Sequence, residues 1–160
     1  MKILIIYFSL TGRTKKIAES IAESIKGHEV QLERIESSIK ARTIISEKER
    51  ISNGDLSDFK YEKNIEDLTL YDVILFGTPV WGGCQPAVFD GYIKKATVAG
   101  KKFIIFCTCR FLVGKTMGLM RAEIEKKGGS VINERAFKGF FRIKKAKVQN
   151  FIEELNKELI

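Results

Sequence analysis

Ser9, Thr11 and Thr14 surround Gly12 in the stretch FSLTGRT, Phe8 to Thr14, where an apolar run gives way to a helical pattern. Hydroxyls and free backbone amides gathered at a helix start are all donors, and the helix dipole adds positive potential there. Gly12 permits a turn that a Cβ would obstruct. Such a loop, with Leu10 and Arg13 completing its backbone, has the chemistry to hold a terminal phosphate. One hydroxyl alone would be an ordinary helix cap; three with a glycine favour the anion.

The elements that must position this loop are legible from hydrophobic periodicity. KILIIYF, YDVILFG (71–77) and KKFIIFC (101–107) are continuous apolar runs of strand length, the mark of strands buried on both faces. EVQLERI and SVINERAF read as further strands. Ile17, Ile21 and Ile25 recur at helical spacing before Gly27, and helices are also expected after Pro86, from Lys115 to Lys127, and around Val148, Phe151, Ile152, Leu155 and Leu159. This alternation predicts an α/β fold with a doubly wound, five-stranded parallel sheet. No linker divides residues 1–160, so one domain is expected. Residues 38–60 are polar and charged, and read as an irregular helix with a long loop. In such sheets ligands sit beyond the carboxyl ends of the strands, which here means after Phe8, Gly77 and Cys107.

Those three places carry a family resemblance that covers essentially the whole chain. IIYFSLTGRTKKIAESI is similar to the phosphate-binding signature of flavodoxins: aliphatics, an aromatic, a hydroxyl residue, then Gly12, Thr14, Ala18 and Ile21 at the family's spacing. DVILFGTPVWGG (72–83) resembles the stretch that lies along the flavin ring in that family, and FCTCRFLVG (106–114) follows the strand that precedes its other flavin-contacting loop. The resemblance implies strand order 2-1-3-4-5 and a non-covalently bound FMN. Ser9, Leu10, Thr11, Gly12, Arg13 and Thr14 would hold the phosphate, and Thr78, Pro79, Val80, Trp81, Gly82 and Gly83 the ring. A flavin ring is flat and mostly apolar with polar edges, so an indole at Trp81 suits its face. Gly82 and Gly83 would let a peptide approach the ring edge and turn over, exchanging an amide for a carbonyl near the flavin N5. Thr108 and the amides around Cys109 and Gly114 would reach the pyrimidine edge; Phe111 either flanks the ring or packs under its loop.

Competing motifs are weaker. CRFLVGKT resembles the phosphate loop of nucleotide-binding ATPases, but Cys109 stands where that motif's first glycine belongs. No arginine follows Cys84, Cys107 or Cys109 at phosphatase spacing, and a single histidine makes no zinc set. Neither a catalytic residue nor a metal ligand is expected. Three cysteines fit a reducing compartment, and the first apolar run is too short for a leader or a membrane span, so a cytoplasmic chain is expected.

Two functions remain open: an electron carrier passing electrons between redox partners, and an NAD(P)H-dependent reductase. The absence of G-x-G-x-x-G favours the carrier. The formal charge of +8 departs from the acidic habit of flavodoxins and suits an acidic, ferredoxin-like partner. AFKGFFRIKKAK (136–147) interleaves aromatic and basic residues as nucleic-acid platforms do, yet it falls between the last strand and last helix. Exposed Phe140 and Phe141 would there contact a redox partner or a second subunit, and binding of nucleic acid is not expected. A monomer and a homodimer are both compatible with these residues.

Overall fold

Runs of Ile, Leu, Val and Phe become the inner strands, because a strand covered on both faces has no solvent side for polar residues. The computed structural model describes residues 1–160. Its elements are β1 (Lys2–Phe8), α1 (Arg13–Ser24), β2 (Glu29–Ser37), α2 (Ala41–Ser46), α3 (Lys48–Ser52), β3 (Phe59–Lys60), β4 (Val73–Pro79), α4 (Ala87–Lys95), β5 (Lys102–Cys109), α5 (Thr116–Lys126), β6 (Ser130–Lys138) and α6 (Lys145–Glu158). No helix is long and apolar enough to cross a membrane.

The sheet order is β3-β2-β1-β4-β5-β6. Its parallel strands keep the expected arrangement, but the five-stranded, all-parallel expectation is corrected to a six-stranded mixed sheet. The added strand, β3, has only two residues and pairs antiparallel with the end of β2, Ser37 opposite Phe59. Nothing in its local sequence reads as a strand. It forms because the returning chain lays the Phe59 ring into the core, edge-on to Phe8 at 6.1 Å.

Alternation along the inner strands builds two cores. Leu4, Ile6, Phe8, Ile74, Phe76, Phe103 and Ile105 face α4 and α5. Ile3, Ile5, Tyr7, Leu75, Ile104 and Phe106 face α1 and α6. Residues 38–60, expected to be an irregular helix with a long loop, hold two short helices, α2 and α3, and β3. Ile44, Ile51, Leu56 and Phe59 anchor them in the first core. Arg50 ties the segment together by pairing with Glu47, Asp55 (2.9 Å) and Asp58 (2.7 Å). Against α4 the fit is close: a Cβ on Gly91 would run into the Ile51 carbonyl and come within 2.8 Å of Leu56 Cδ2.

From β1 the chain goes outward to β2, then returns to place β4 on the other side of β1. The strand order therefore reverses between β1 and β4, and the crevice at their carboxyl ends is the expected ligand position in such a sheet.

Candidate functional site

The first wall of that crevice is the turn from β1 into α1. Gly12 caps α1 at φ +89°, in the left-handed region, and its N–H donates to Ser9 Oγ at 3.1 Å. No side chain caps the helix and its first turn holds no acid, while Arg13, Lys15 and Lys16 bring positive charge. Amides that a capping oxygen normally satisfies are thus left pointing from the helix end. Leu10 and Thr11 are exposed at the loop tip, whereas Ser9 and Thr14 are buried.

Thr14 has a second duty. Its hydroxyl meets that of Thr108 at 2.8 Å, joining the start of α1 to the end of β5. In a hydroxyl pair one O–H is used between the partners and the other remains available to a further acceptor.

The second wall is built on β4. Val80 N–H donates to the Thr108 carbonyl at 3.0 Å, carrying the β4–β5 pairing past the strand end. Trp81 and Cys84 then exchange both backbone bonds, at 2.8 and 3.1 Å, around Gly82 (φ +58°) and Gly83 (φ +78°). Two consecutive positive φ values are what a type I′ turn requires, and glycine supplies them without steric cost. Trp81 stays half-buried, with its ring edge-on to Phe8 at 5.7 Å. Pro79 and Val80 are half-buried beside it, but the Thr78 hydroxyl turns inward to Met120 Sδ, at 3.8 Å, and is not brought to the crevice.

The third wall is the loop after β5. Lys115 N–H donates to the Gly83 carbonyl at 2.8 Å, and Gly114 lies directly against Gly83. Phe111 is 66% exposed rather than packed under its loop. Burial pushes the Cys107 thiol up to about 12 and also raises that of Cys109, so both are protonated at neutral pH.

A fourth segment, not included among the sequence-derived site residues, joins these loops. Gly139 donates its N–H to the Cys109 carbonyl at 3.0 Å and accepts on its own carbonyl from the Arg13 guanidinium. Arg13 is therefore a strut between loops as well as a positive charge near the start of α1. The Phe140 ring lies 4.9 Å from that of Phe111. Only the glycine in KGFFR signalled a sharp reversal there.

Gln85 and Asp90 also escaped the sequence reading. Gln85 Nε2 donates to Asp90 Oδ1 at 3.0 Å, just beyond the Trp81–Cys84 turn, while Gln85 Oε1 is buried without a partner. Burial pushes the Asp90 carboxyl up to about 6, against the Gln85 hydrogen bond and with some help from Glu123. Between the unfolded value near 4 and this folded value, the native chain binds more protons, so stability falls as pH rises through the window. Asp90→Asn is expected to flatten that slope and to add about 1–2 kcal/mol at neutral pH, read by urea unfolding across the window. Identical slopes in variant and wild type would remove Asp90 as their source.

Together the loops can hold an anion at the uncapped start of α1 and a flat, partly apolar group along Trp81, with peptide donors and acceptors at its edges. A separate groove, between the ends of α1 and α6 around Glu23, Lys26 and Asn156, lies at the amino ends of the strands.

Comparison with known proteins finds relatives that share this fold. Residues 2–155 match the model of a family described as Flavodoxin. The chain is 27% identical over 143 residues to a flavodoxin of Maridesulfovibrio salexigens, covering 83% of this chain and 82% of that one. It is 30% identical over 95 residues to an NAD(P)H dehydrogenase (quinone) of Archaeoglobus fulgidus, covering 58% of this chain and about half, 49%, of that relative's length. Among solved structures it resembles a flavoprotein in complex with FMN from Lactobacillus acidophilus, with TM-score 0.62 and 25% identity, covering 84% of this chain and 92% of that one. It shares the fold of two-electron reduced Megasphaera elsdenii flavodoxin, with TM-score 0.63 and 20% identity over 97% and 98% of the respective chains.

Proposed function

The chain belongs to the flavodoxin family, and from that premise we propose that it binds FMN non-covalently and carries electrons between redox partners. The observation that carries this reading is the start of α1: glycine-capped, free of acids, flanked by basic residues and set at the β1/β4 reversal. The Thr11 hydroxyl and the amides from Arg13 onward would hold the phosphate, with the Gly12 N–H kept by Ser9 Oγ, and the Thr14–Thr108 pair would offer its spare O–H. Arg13, Lys15 and Lys16 offset its negative charge. Trp81 and Phe111, on separate loops, flank the ring, while the backbone of Cys109 and Gly114 serves its pyrimidine edge.

When bound, FMN supplies one- and two-electron chemistry that no side chain offers. The protein contributes position and electrostatics. Turning over the Gly82–Gly83 peptide converts a type I′ turn to type II′, which the two glycines tolerate. That motion replaces one hydrogen-bonding group by its opposite at the ring edge, so the turn can follow the protonation of a neighbouring nitrogen.

The similarity to the quinone dehydrogenase favours a second reading, direct reduction by NAD(P)H. One experiment separates the two. Protein incubated with FMN and desalted is expected to keep a flavin spectrum under anaerobic conditions, and NADPH is expected to leave it unchanged. Rapid bleaching would make the chain a reductase; loss of flavin on desalting would refute cofactor binding.

A further inference from the structure

The loop between β6 and α6 holds aromatic rings in water by design of the backbone. Phe140 is 46% and Phe141 91% exposed, beside Phe111 and an equally open Leu112 at 78%. A contiguous apolar patch of this kind is uncommon on a surface that meets only solvent. Nor are the rings on a loose arm. Gly139 is bound on both sides, by the Cys109 carbonyl and by Arg13. The chain then doubles back so tightly that a Cβ at Gly139 would strike the Arg142 carbonyl and approach Ile143 Cα to 3.1 Å. Phe140 is fixed against Phe111 at 4.9 Å and Phe141 at 4.5 Å, and the Arg110 guanidinium sits 5.9 Å from the Phe140 ring.

Charge around the patch has one sign. Residues 138–147 contain Lys138, Arg142, Lys144, Lys145 and Lys147 and no acid. None of these enters an ion pair, and the nearby Glu134 and Glu154 are already paired with Arg121 and Arg135. Like charges would oppose a second copy docking face to face. The patch shares Phe111 with the third wall of the crevice, and Gly139 at its base is bonded to the Cys109 carbonyl of that wall, so an occupant would sit beside the cofactor. That position suits a molecule that exchanges electrons better than a nucleic acid or a lipid surface.

We infer that the Phe140–Phe141 reversal, with Phe111, Leu112 and the basic residues around it, is the docking face for an acidic redox protein. The inference rests on the FMN reading for its purpose, but not for its geometry. Apolar rings at the centre exclude water, and the basic rim steers the partner and sets its orientation.

A strongly acidic plant-type [2Fe–2S] ferredoxin is the probe. Pre-reduced ferredoxin is mixed anaerobically with FMN-loaded protein; its cluster gives up one electron and the bound flavin takes it. The second-order rate is expected to fall about tenfold from low to high salt. Arg142→Glu/Lys144→Glu/Lys145→Glu should slow the low-salt rate about tenfold or more and abolish the salt dependence. Phe141→Ser should slow it several-fold at both salts, with FMN retention unchanged in every variant. A wild-type rate indifferent to salt, or variants equal to wild type, would overturn the proposal. Calorimetric titration of the protein as purified with ferredoxin reads docking even if FMN is not retained. Binding lost in the variants then upholds the face while the cofactor reading fails. Anionic vesicles and single-stranded DNA are titrated in parallel, and binding of either in place of ferredoxin overturns the assignment.

Discussion

Gly114→Ala is expected to raise the FMN dissociation constant by about a hundredfold, or about 2.8 kcal/mol, while the sheet stays folded. Gly114 sits at φ +59°, a conformation that costs an L-residue about 1–2 kcal/mol. The added Cβ would also lie 2.5 Å from both the Cα and the carbonyl oxygen of Gly83. Backbone cannot yield as a flexible side chain does, so the two loops must part. Their separation breaks the Lys115 N–H bond to the Gly83 carbonyl and widens the crevice between the second and third walls. Gly118→Ala, four residues on, is the control: no atom lies within 4 Å of its Cβ and its φ is ordinary. Inside α5 that change is expected to stabilise by about 0.5–1 kcal/mol and leave FMN binding intact. Fluorescence titration of FMN reads both variants, and equal affinities would show that the contact between the loops does not shape the site.

Gly77→Ala should be the most damaging methyl group in the sheet. Gly77 lies in β4 directly opposite Phe106 of β5, and the Phe106 ring covers it so closely that a Cβ would be driven into the ring. Phe106 is fully buried and edge-on to Phe137 at 6.3 Å, which in turn meets Phe151 at 5.6 Å, so the ring has nowhere to go. Overpacking of this kind costs about 3 kcal/mol, or about 6–12 °C in Tm for a chain of this size. Phe106→Leu alone leaves a cavity and is expected to cost about 1–2 kcal/mol. Combined, each change makes room for the other, so the double variant should lose less than the sum. A double-mutant cycle by thermal or urea unfolding measures that coupling. Additive losses would mean that ring and Cβ do not compete for the same space.

The turns that line the crevice were legible because their signals are local. FSLTGRT and TPVWGG announce their turns through their own glycines, and both lie at the carboxyl ends of runs whose burial pattern identifies them as inner strands. β3 was not legible, since a two-residue strand owes its existence to the fit of Phe59 against Phe8 and to the edge of β2. The side-chain direction of Thr78 was not legible either. This threonine belongs to a recognisable motif, yet strand alternation directs its hydroxyl to Met120 and away from the crevice.

The division has a physical cause. Periodicity and glycine placement depend on neighbours a few residues away, so the sequence by itself determined the alternating strands and helices and the glycine turn at the start of α1, while the order of the inner strands was implied by the family resemblance. Contacts across long separations depend on how finished layers meet. Thr14 finds Thr108 across 94 residues, and Arg13 reaches the Gly139 carbonyl across 126. The burial that lifts the Asp90 carboxyl on α4 and the exposure of the Phe140–Phe141 pair likewise depend on how separate elements pack. Tertiary structure alone decided these, because each is set by the packing of segments that carry no record of one another in their local patterns.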